Sequence, residues 1–373
     1  MTFAVICGGG SAGHVLPALA VAEALEDAGY PSADIHYVGA RRGIEARLLP
    51  PTGYAHTLLD VDGVQRSLSR RDLLRNSAFL PKLVRASLAA RKLLARLRPR
   101  VVVSVGGYAS LPAVLAARRL GVPVVVVTYD RRPGRASALT ARFAAAVAAA
   151  YPGSKLPRAP GRLVEVTGAP VRRAIRAVHR ERGRDAARVS LGLPADRFVV
   201  AVVGGSLGSG ALNAATARFV ALRRDDRRLA VRHVTGERFA GAVGPGLDGS
   251  DGALHQVVPY EERMDLVYAA ADVLVGRGGA TTVAEVAVTG IPAVLVPWPG
   301  AAEDHQTDNA RWLADAGGAV LLPETEISRL GEVLDGLRAD SAAAGELGRR
   351  AHDLGAVHRS GRMAELIGRA ALA

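Results

Sequence analysis

The chain has 373 residues, of which 49% are hydrophobic, 22% charged and only 4% aromatic; this excludes a disordered polymer and gives enough aliphatic material for two packed cores. A single cysteine, Cys7, excludes an internal disulfide or a zinc site built from several thiolates, and suits a reducing, cytosolic compartment. The net charge of +13 is concentrated between Arg66 and Arg100, where eleven basic residues face one acid, Asp72, so the stretch calls for an anionic partner, either nucleic acid or a membrane surface.

Phe3 to Cys7 reads as a strand that breaks at Gly8-Gly9-Gly10, a strand and turn rather than a secretory leader. A helix follows from about Val15. Strands at Ile35 to Val38, Val101 to Val105, Val122 to Thr128 and Leu163 to Thr167 then alternate with helices that begin near Arg42, Leu73, Pro112 and Ala136. Continuous apolar strands separated by helices specify an α/β, doubly wound parallel sheet covered on both faces. The pattern restarts at Phe198 to Val203, which runs into Gly204-Gly205-Ser206-Leu207-Gly208-Ser209-Gly210 and a helix from Ala211. Further strands fit Leu229 to Val234, His255 to Val258, Val273 to Val275, Ala293 to Val296 and Ala319 to Leu322. Two Rossmann-like domains are expected, 1–167 and 168–345, hinged at Gly168-Ala169-Pro170, with 346–373 a terminal helix packing back on the first. No apolar run approaches the roughly 20 residues that cross a bilayer.

Gly8-Gly9-Gly10-Ser11-Ala12-Gly13 satisfies G-x-G-x-x-G between a strand and a helix. That geometry fits a dinucleotide, another phosphate or polar oxygen ligand, or turn formation alone. The second strand ends in Arg41-Arg42 rather than an acid, which leaves open an NADP-dependent oxidoreductase. His14 at the mouth of the following helix has no use in such an enzyme. The Gly204–Gly210 loop repeats the anion-cradling pattern, and Gly276-Arg277-Gly278-Gly279-Ala280-Thr281-Thr282 offers a third. There, the amides of Ala280 to Thr282 suit a diphosphate, and Glu285 suits ribose hydroxyls or a helix-capping role. The lysine P-loop of NTPases is missing, and no clustered metal ligands are read from the chain. A basic nucleic-acid binder has only its charge in favour, since few aromatics are available for stacking.

These blocks, with Arg42-Gly43-Ile44-Glu45, Gly106-Gly107-Tyr108-Ala109-Ser110, Val166 to Arg172 and Asp304-His305-Gln306-Thr307-Asp308-Asn309, run collinearly along nearly the whole chain. The chain resembles the MurG family, peptidoglycan N-acetylglucosaminyltransferases of glycosyltransferase family 28 with the GT-B fold, two Rossmann-like domains facing a central cleft. The resemblance implies an inverting transfer of GlcNAc from UDP-GlcNAc to the C4 hydroxyl of MurNAc in a lipid-linked precursor. No cofactor or metal is implied, and the place of action is the cytoplasmic face of the plasma membrane.

The same resemblance gives the site residues. His14 is the expected base or acceptor-orienting group. Ser11, Gly13, Arg172, Gly204, Gly205, Ser206, Gly208, Ala280, Thr281, Thr282, Glu285, Gln306 and Asn309 are expected on the UDP-sugar side. Gly107, Tyr108 and Asp130 are expected on the acceptor side. The basic stripe, with Arg70, Arg71, Arg75, Phe79, Leu80, Lys82, Leu83 and Arg85, is expected to face anionic lipid of the inner leaflet. One departure stands out: where the family reads Glu-Gln-Asn ahead of a Pro-Gly, this chain has Thr128-Tyr129-Asp130-Arg131-Arg132-Pro133-Gly134. These changes are expected to alter which sugars fit, so a related transferase with another acceptor is the first alternative.

Overall fold

A computed structural model describes residues 2–61, 79–154, 156 and 163–372. The chain divides into two compact units, one formed by residues 1–173 and 360–373, the other by 174–359. The contact division therefore differs from the sequence boundaries at 167 and 346.

The first unit contains β1 (Ala4–Cys7), α1 (Ala12–Asp27), β2 (Ile35–Ala40), α2 (Glu45–Leu48), β3 (Ala55–Leu59), α3 (Phe79–Leu97) and β4 (Val101–Ser104). It continues through α4 (Leu111–Leu120), β5 (Val124–Thr128), α5 (Arg135–Ala141), β6 (Ala146–Ala149) and β7 (Leu163–Val166). Its seven strands are ordered β3-β2-β1-β4-β5-β6-β7, every neighbouring pair parallel. The central strands are apolar along their length because helices cover both faces: all residues of β1, β4 and β5 are buried.

Two strands here escape a reading by pattern. β3 is Ala-His-Thr-Leu-Leu at the sheet edge, half solvated. β6 is Ala-Val-Ala-Ala, too poor in β-branched residues to announce itself. The predicted strand from Val122 starts at Val124, after Pro123. The helix predicted from Leu73 begins outside the described residues and is seen from Phe79.

After α6 (Arg173–Arg176) the second unit contains α7 (Arg180–Leu191), β8 (Phe198–Val203), α8 (Gly210–Ala221), β9 (Leu229–Val234), β10 (Leu247–Asp248), β11 (Leu254–Val258) and α9 (Met264–Ala270). It ends with β12 (Val273–Gly276), α10 (Ala280–Thr289), β13 (Ala293–Leu295), α11 (His305–Ala314), β14 (Val320–Leu321), α12 (Leu330–Ala339) and α13 (Ser341–Leu354). The order is β10-β11-β9-β8-β12-β13-β14, parallel except for the short β10, which runs antiparallel to β11. Helix α13 packs on α10 inside this unit, and only α14 (Arg362–Ala370) returns to the first, against α1 and β6. Its apolar face, with Met363, Leu366 and Ile367, is buried there. Among the described residues no helix is long and apolar enough to cross a membrane.

Candidate active site

In the first unit β1 lies between β2 and β4, so chain order reverses there and the loops after β1 and β4 diverge at the carboxyl ends of the strands. The β1 loop carries Gly8–Gly13 and the β4 loop carries Gly106, Gly107 and Tyr108. They touch so closely that a Cβ on Gly107, whose φ is +75°, would stand 2.3 Å from the Gly9 carbonyl oxygen. Behind the loop sits Glu45, fully buried at the start of α2. Its Oε1 accepts from the N–H groups of Gly10 (2.9 Å) and Ala40 (2.9 Å). Its Oε2 is buried with no hydrogen-bond partner among the described residues. One amide of this loop, that of Gly10, is thus already taken by a carboxylate belonging to the chain. Sequence reasoning placed Glu45 within a motif but gave it no role; the signal was an acid in the Arg41-Arg42-Gly43-Ile44 turn directly after a strand.

His14 stands half-buried in the first turn of α1. Its Nδ1 is 3.0 Å from the Ser11 hydroxyl oxygen, and its ring meets Tyr129 edge-on, centroids 6.2 Å apart. The Cδ2–Nε2 edge lies against Gly106, where a Cβ would come within 3.3 Å of the ring. Burial lowers the pKa of His14, while the charges of Asp130 and Glu45 act in the opposite sense. The positive end of α1 also favours the neutral ring. With Nδ1–H donating to Ser11, the Nε2 lone pair is the basic site.

The structure therefore brings Ser11, Gly13, His14, Gly107, Tyr108 and Asp130 together in one unit. Arg172 also lies in the first unit, but its guanidinium is paired with Glu23 of α1, Nε to Oε1 at 2.9 Å. Arg70, Arg71 and Arg75 lie outside the described residues. In α3, Ala86, Ala90, Leu93 and Leu94 face the core, whereas Val84 (52%) and Leu88 (50%) are exposed beside Arg85 and Arg91. Lys82 and Leu83 of the same helix are half-buried, and Phe79 and Leu80 form its first turn.

The second unit repeats the switch point between β8 and β12. Its β8 loop carries Gly204, Gly205, Ser206 and Gly208, with Ser206 and Leu207 exposed. Gly208 has φ +75° and approaches the Thr235 carbonyl so closely that a Cβ would lie 2.1 Å away. Ser209 caps α8 by accepting from Leu212 N–H at 3.2 Å, and it also accepts from the Arg277 guanidinium at 2.5 Å. Arg277, nearly buried, donates to the Val296 carbonyl (3.1 Å) and pairs with Glu324 (2.5 Å). A buried cation thus ties the β8 loop to the β12 loop, a role that sequence reasoning missed.

Helix α10 opens at Ala280 after Gly279, so the amides of Ala280, Thr281 and Thr282 have no acceptor within the helix. Glu285, one turn on, accepts from the Tyr268 hydroxyl at 2.6 Å. Gln306 accepts from the Trp298 N–H at 2.9 Å. Asn309 is fully buried, and its amide donates to the Gly278 carbonyl at 3.5 Å, bracing the β12 loop from within. Beneath the β8 loop, His233 bonds Asn213 Oδ1 at 2.9 Å and lies 3.3 Å from His255 Nε2. Burial and its histidine neighbour lower the His233 pKa to about 4.

Two family models match the chain: the glycosyltransferase family 28 N-terminal domain over residues 4–149 and the family 28 C-terminal domain over 199–358. A UDP-N-acetylglucosamine--N-acetylmuramyl-(pentapeptide) pyrophosphoryl-undecaprenol N-acetylglucosamine transferase from Clavibacter sepedonicus is 39% identical, covering 98% of this chain and 96% of its own length. One of the same name from Nocardia farcinica is 40% identical over 95% and 92% of the two chains. The crystal structure of MurG from Acinetobacter baumannii superposes with a TM-score of 0.71 at 28% identity, covering 99% of both chains. These likenesses displace the oxidoreductase reading. The chain belongs to the MurG family of N-acetylglucosaminyltransferases, within glycosyltransferase family 28.

Proposed function

We propose that this chain moves N-acetylglucosamine from UDP-N-acetylglucosamine to the C4 hydroxyl of N-acetylmuramic acid in undecaprenyl-diphospho-N-acetylmuramyl-pentapeptide, the lipid I to lipid II step of peptidoglycan synthesis. The observation that carries this reading is near-full-length identity of 39% to transferases of that activity, in a chain that places His14 at the mouth of α1.

In the second unit, the Gly204, Gly205, Ser206 and Gly208 loop and the amides of Ala280, Thr281 and Thr282 receive the diphosphate. Glu285 accepts from the ribose hydroxyls, and Gln306 faces the donor sugar, with Asn309 holding the loop in shape. In the first unit, Gly107, Tyr108 and Asp130 line the acceptor side, and Ser11 fixes the tautomer of His14. Arg172, neutralised by Glu23, steadies α1 rather than the diphosphate. The acceptor oxygen attacks the anomeric carbon as its proton passes to His14 Nε2, and the bond from that carbon to the β-phosphate oxygen breaks with inversion. UDP departs, and preorganised amides take up the developing charge.

Helix α3 supplies a surface for peripheral attachment to the inner face of the membrane, with Val84 and Leu88 exposed among basic side chains. Replacing Lys82, Arg85 and Arg91 by Ala should weaken binding to anionic vesicles by about 100-fold, at about 1 kcal/mol per charge, with UDP affinity intact. Undiminished vesicle binding would refute that attachment.

The deciding assay is transfer of radiolabelled UDP-N-acetylglucosamine to a lipid I analogue, alongside thermal shift with UDP and NADPH. UDP, and not NADPH, should raise the melting temperature. Binding of UDP with no turnover on that acceptor would instead support a related transferase with a different one.

A further inference from the structure

Pro17 lies inside α1, and it has no N–H to give to the carbonyl four residues earlier, that of Gly13. In an ordinary helix that carbonyl accepts a bond from within the first turns; here it faces a gap in the ladder, one residue before His14. The gap is filled from another element. The hydroxyl of Tyr129, directly after β5, donates to Gly13 O at 2.7 Å. The Tyr129 side chain is buried, 8% exposed, and its ring packs edge-on against the His14 imidazole at 68° between planes. One side chain therefore closes the broken helix bond and walls the base.

We propose that Tyr129 is a positioning residue for His14, acting through the Gly13 carbonyl that Pro17 leaves open. The substituted segment Thr128–Gly134 thereby gains a purpose other than choosing a sugar: its first loop residue serves the geometry of the base. The charged groups facing His14 are Asp130, from the same loop, and Glu45 of α2. Tyr129→Phe removes neither of these charges.

The inference rests on His14 acting in transfer, and the test separates the two. Tyr129→Phe keeps the ring and deletes the hydroxyl. It should lower kcat by about tenfold, as expected when a catalytic group loses its fixed orientation, while KM for UDP-N-acetylglucosamine stays within about twofold. In the free protein, the His14 imidazole, followed by NMR with labelled histidine, should titrate at higher pH in Tyr129→Phe, because looser packing relieves its desolvation. Adding Pro17→Ala returns a backbone donor to Gly13 O, so the double variant should recover to within about threefold of the parent. A Tyr129→Phe variant with parental kcat and an unmoved His14 titration would overturn the proposal, as would a double variant no better than Tyr129→Phe. A displaced His14 titration with unchanged turnover would leave the positioning contact standing and remove His14 from the chemistry.

Discussion

The Gly8–Gly13 and Gly204–Gly210 loops each follow a central strand of a parallel sheet, at the point where strand order reverses, and each opens a helix. Behind the first lies a buried acid, Glu45, on the Gly10 N–H; behind the second lies a buried base, Arg277, on the Ser209 hydroxyl. The first loop is walled by Tyr108 and Tyr129 and presents an imidazole, whereas the second presents the exposed Ser206 and Leu207. A glycine pattern builds a tight turn in both places, but the side chain buried behind it differs: a carboxylate in the first, and in the second a guanidinium already paired with Glu324.

That contrast can be broken in several ways. Removing the base should have the largest effect: His14→Ala lowers kcat by roughly 10²–10⁴ with donor KM little changed, measured by initial rates on the lipid acceptor. Parental turnover would mean that the first loop holds no base. Glu45→Ala leaves the buried Ala40 N–H and the half-buried Gly10 N–H without an acceptor and should destabilise the first unit by roughly 2–4 kcal/mol. Calorimetry with and without UDP checks this, since UDP should protect the second unit and not rescue the first.

The second unit should be the acid-sensitive one. His233 is held near pKa 4 against 6.5 in the unfolded chain, so below 6.5 the unfolded state binds a proton that the folded state refuses. Its contribution is intact above about pH 6.5 and is lost as pH falls toward 4, by as much as roughly 3 kcal/mol. His233→Gln, which keeps a donor for Asn213, should flatten the dependence of melting temperature on pH across that window; an unchanged slope would place the acid sensitivity elsewhere. The smallest effect concerns Asp130, whose charge favours protonated His14. Asp130→Asn lowers the His14 pKa further, so the acid limb of the pH–rate profile should move to lower pH. A shift upward would contradict the placement of that carboxylate.

Much of this was open to a reader of the sequence. Runs such as Val101-Val102-Val103 read as strands because burial on both faces demands unbroken apolar residues, and turn glycines mark where backbones approach. Collinear motifs carried the family and the expected chemistry. His14 was nameable because the family resemblance places a histidine directly after the first glycine loop. β3 and β6 were invisible, since an edge strand tolerates polar residues and an interior Ala-rich strand relies on its neighbours.

What only the tertiary structure decided is which distant residues complete each loop. Glu45 lies 35 residues from Gly10, Arg277 lies 68 from Ser209, and Tyr129 lies 116 from Gly13. The chain by itself determined where amides, acids and rings occur and what period they follow. Pairing a particular acid, base or hydroxyl with a particular unsatisfied backbone group depends on strand order and helix placement, because such bonds act over about 3 Å and carry no signature in local spacing. So Asn309, fully buried, donates to the Gly278 carbonyl of the β12 loop, and the Tyr129 hydroxyl meets the Gly13 carbonyl in another element.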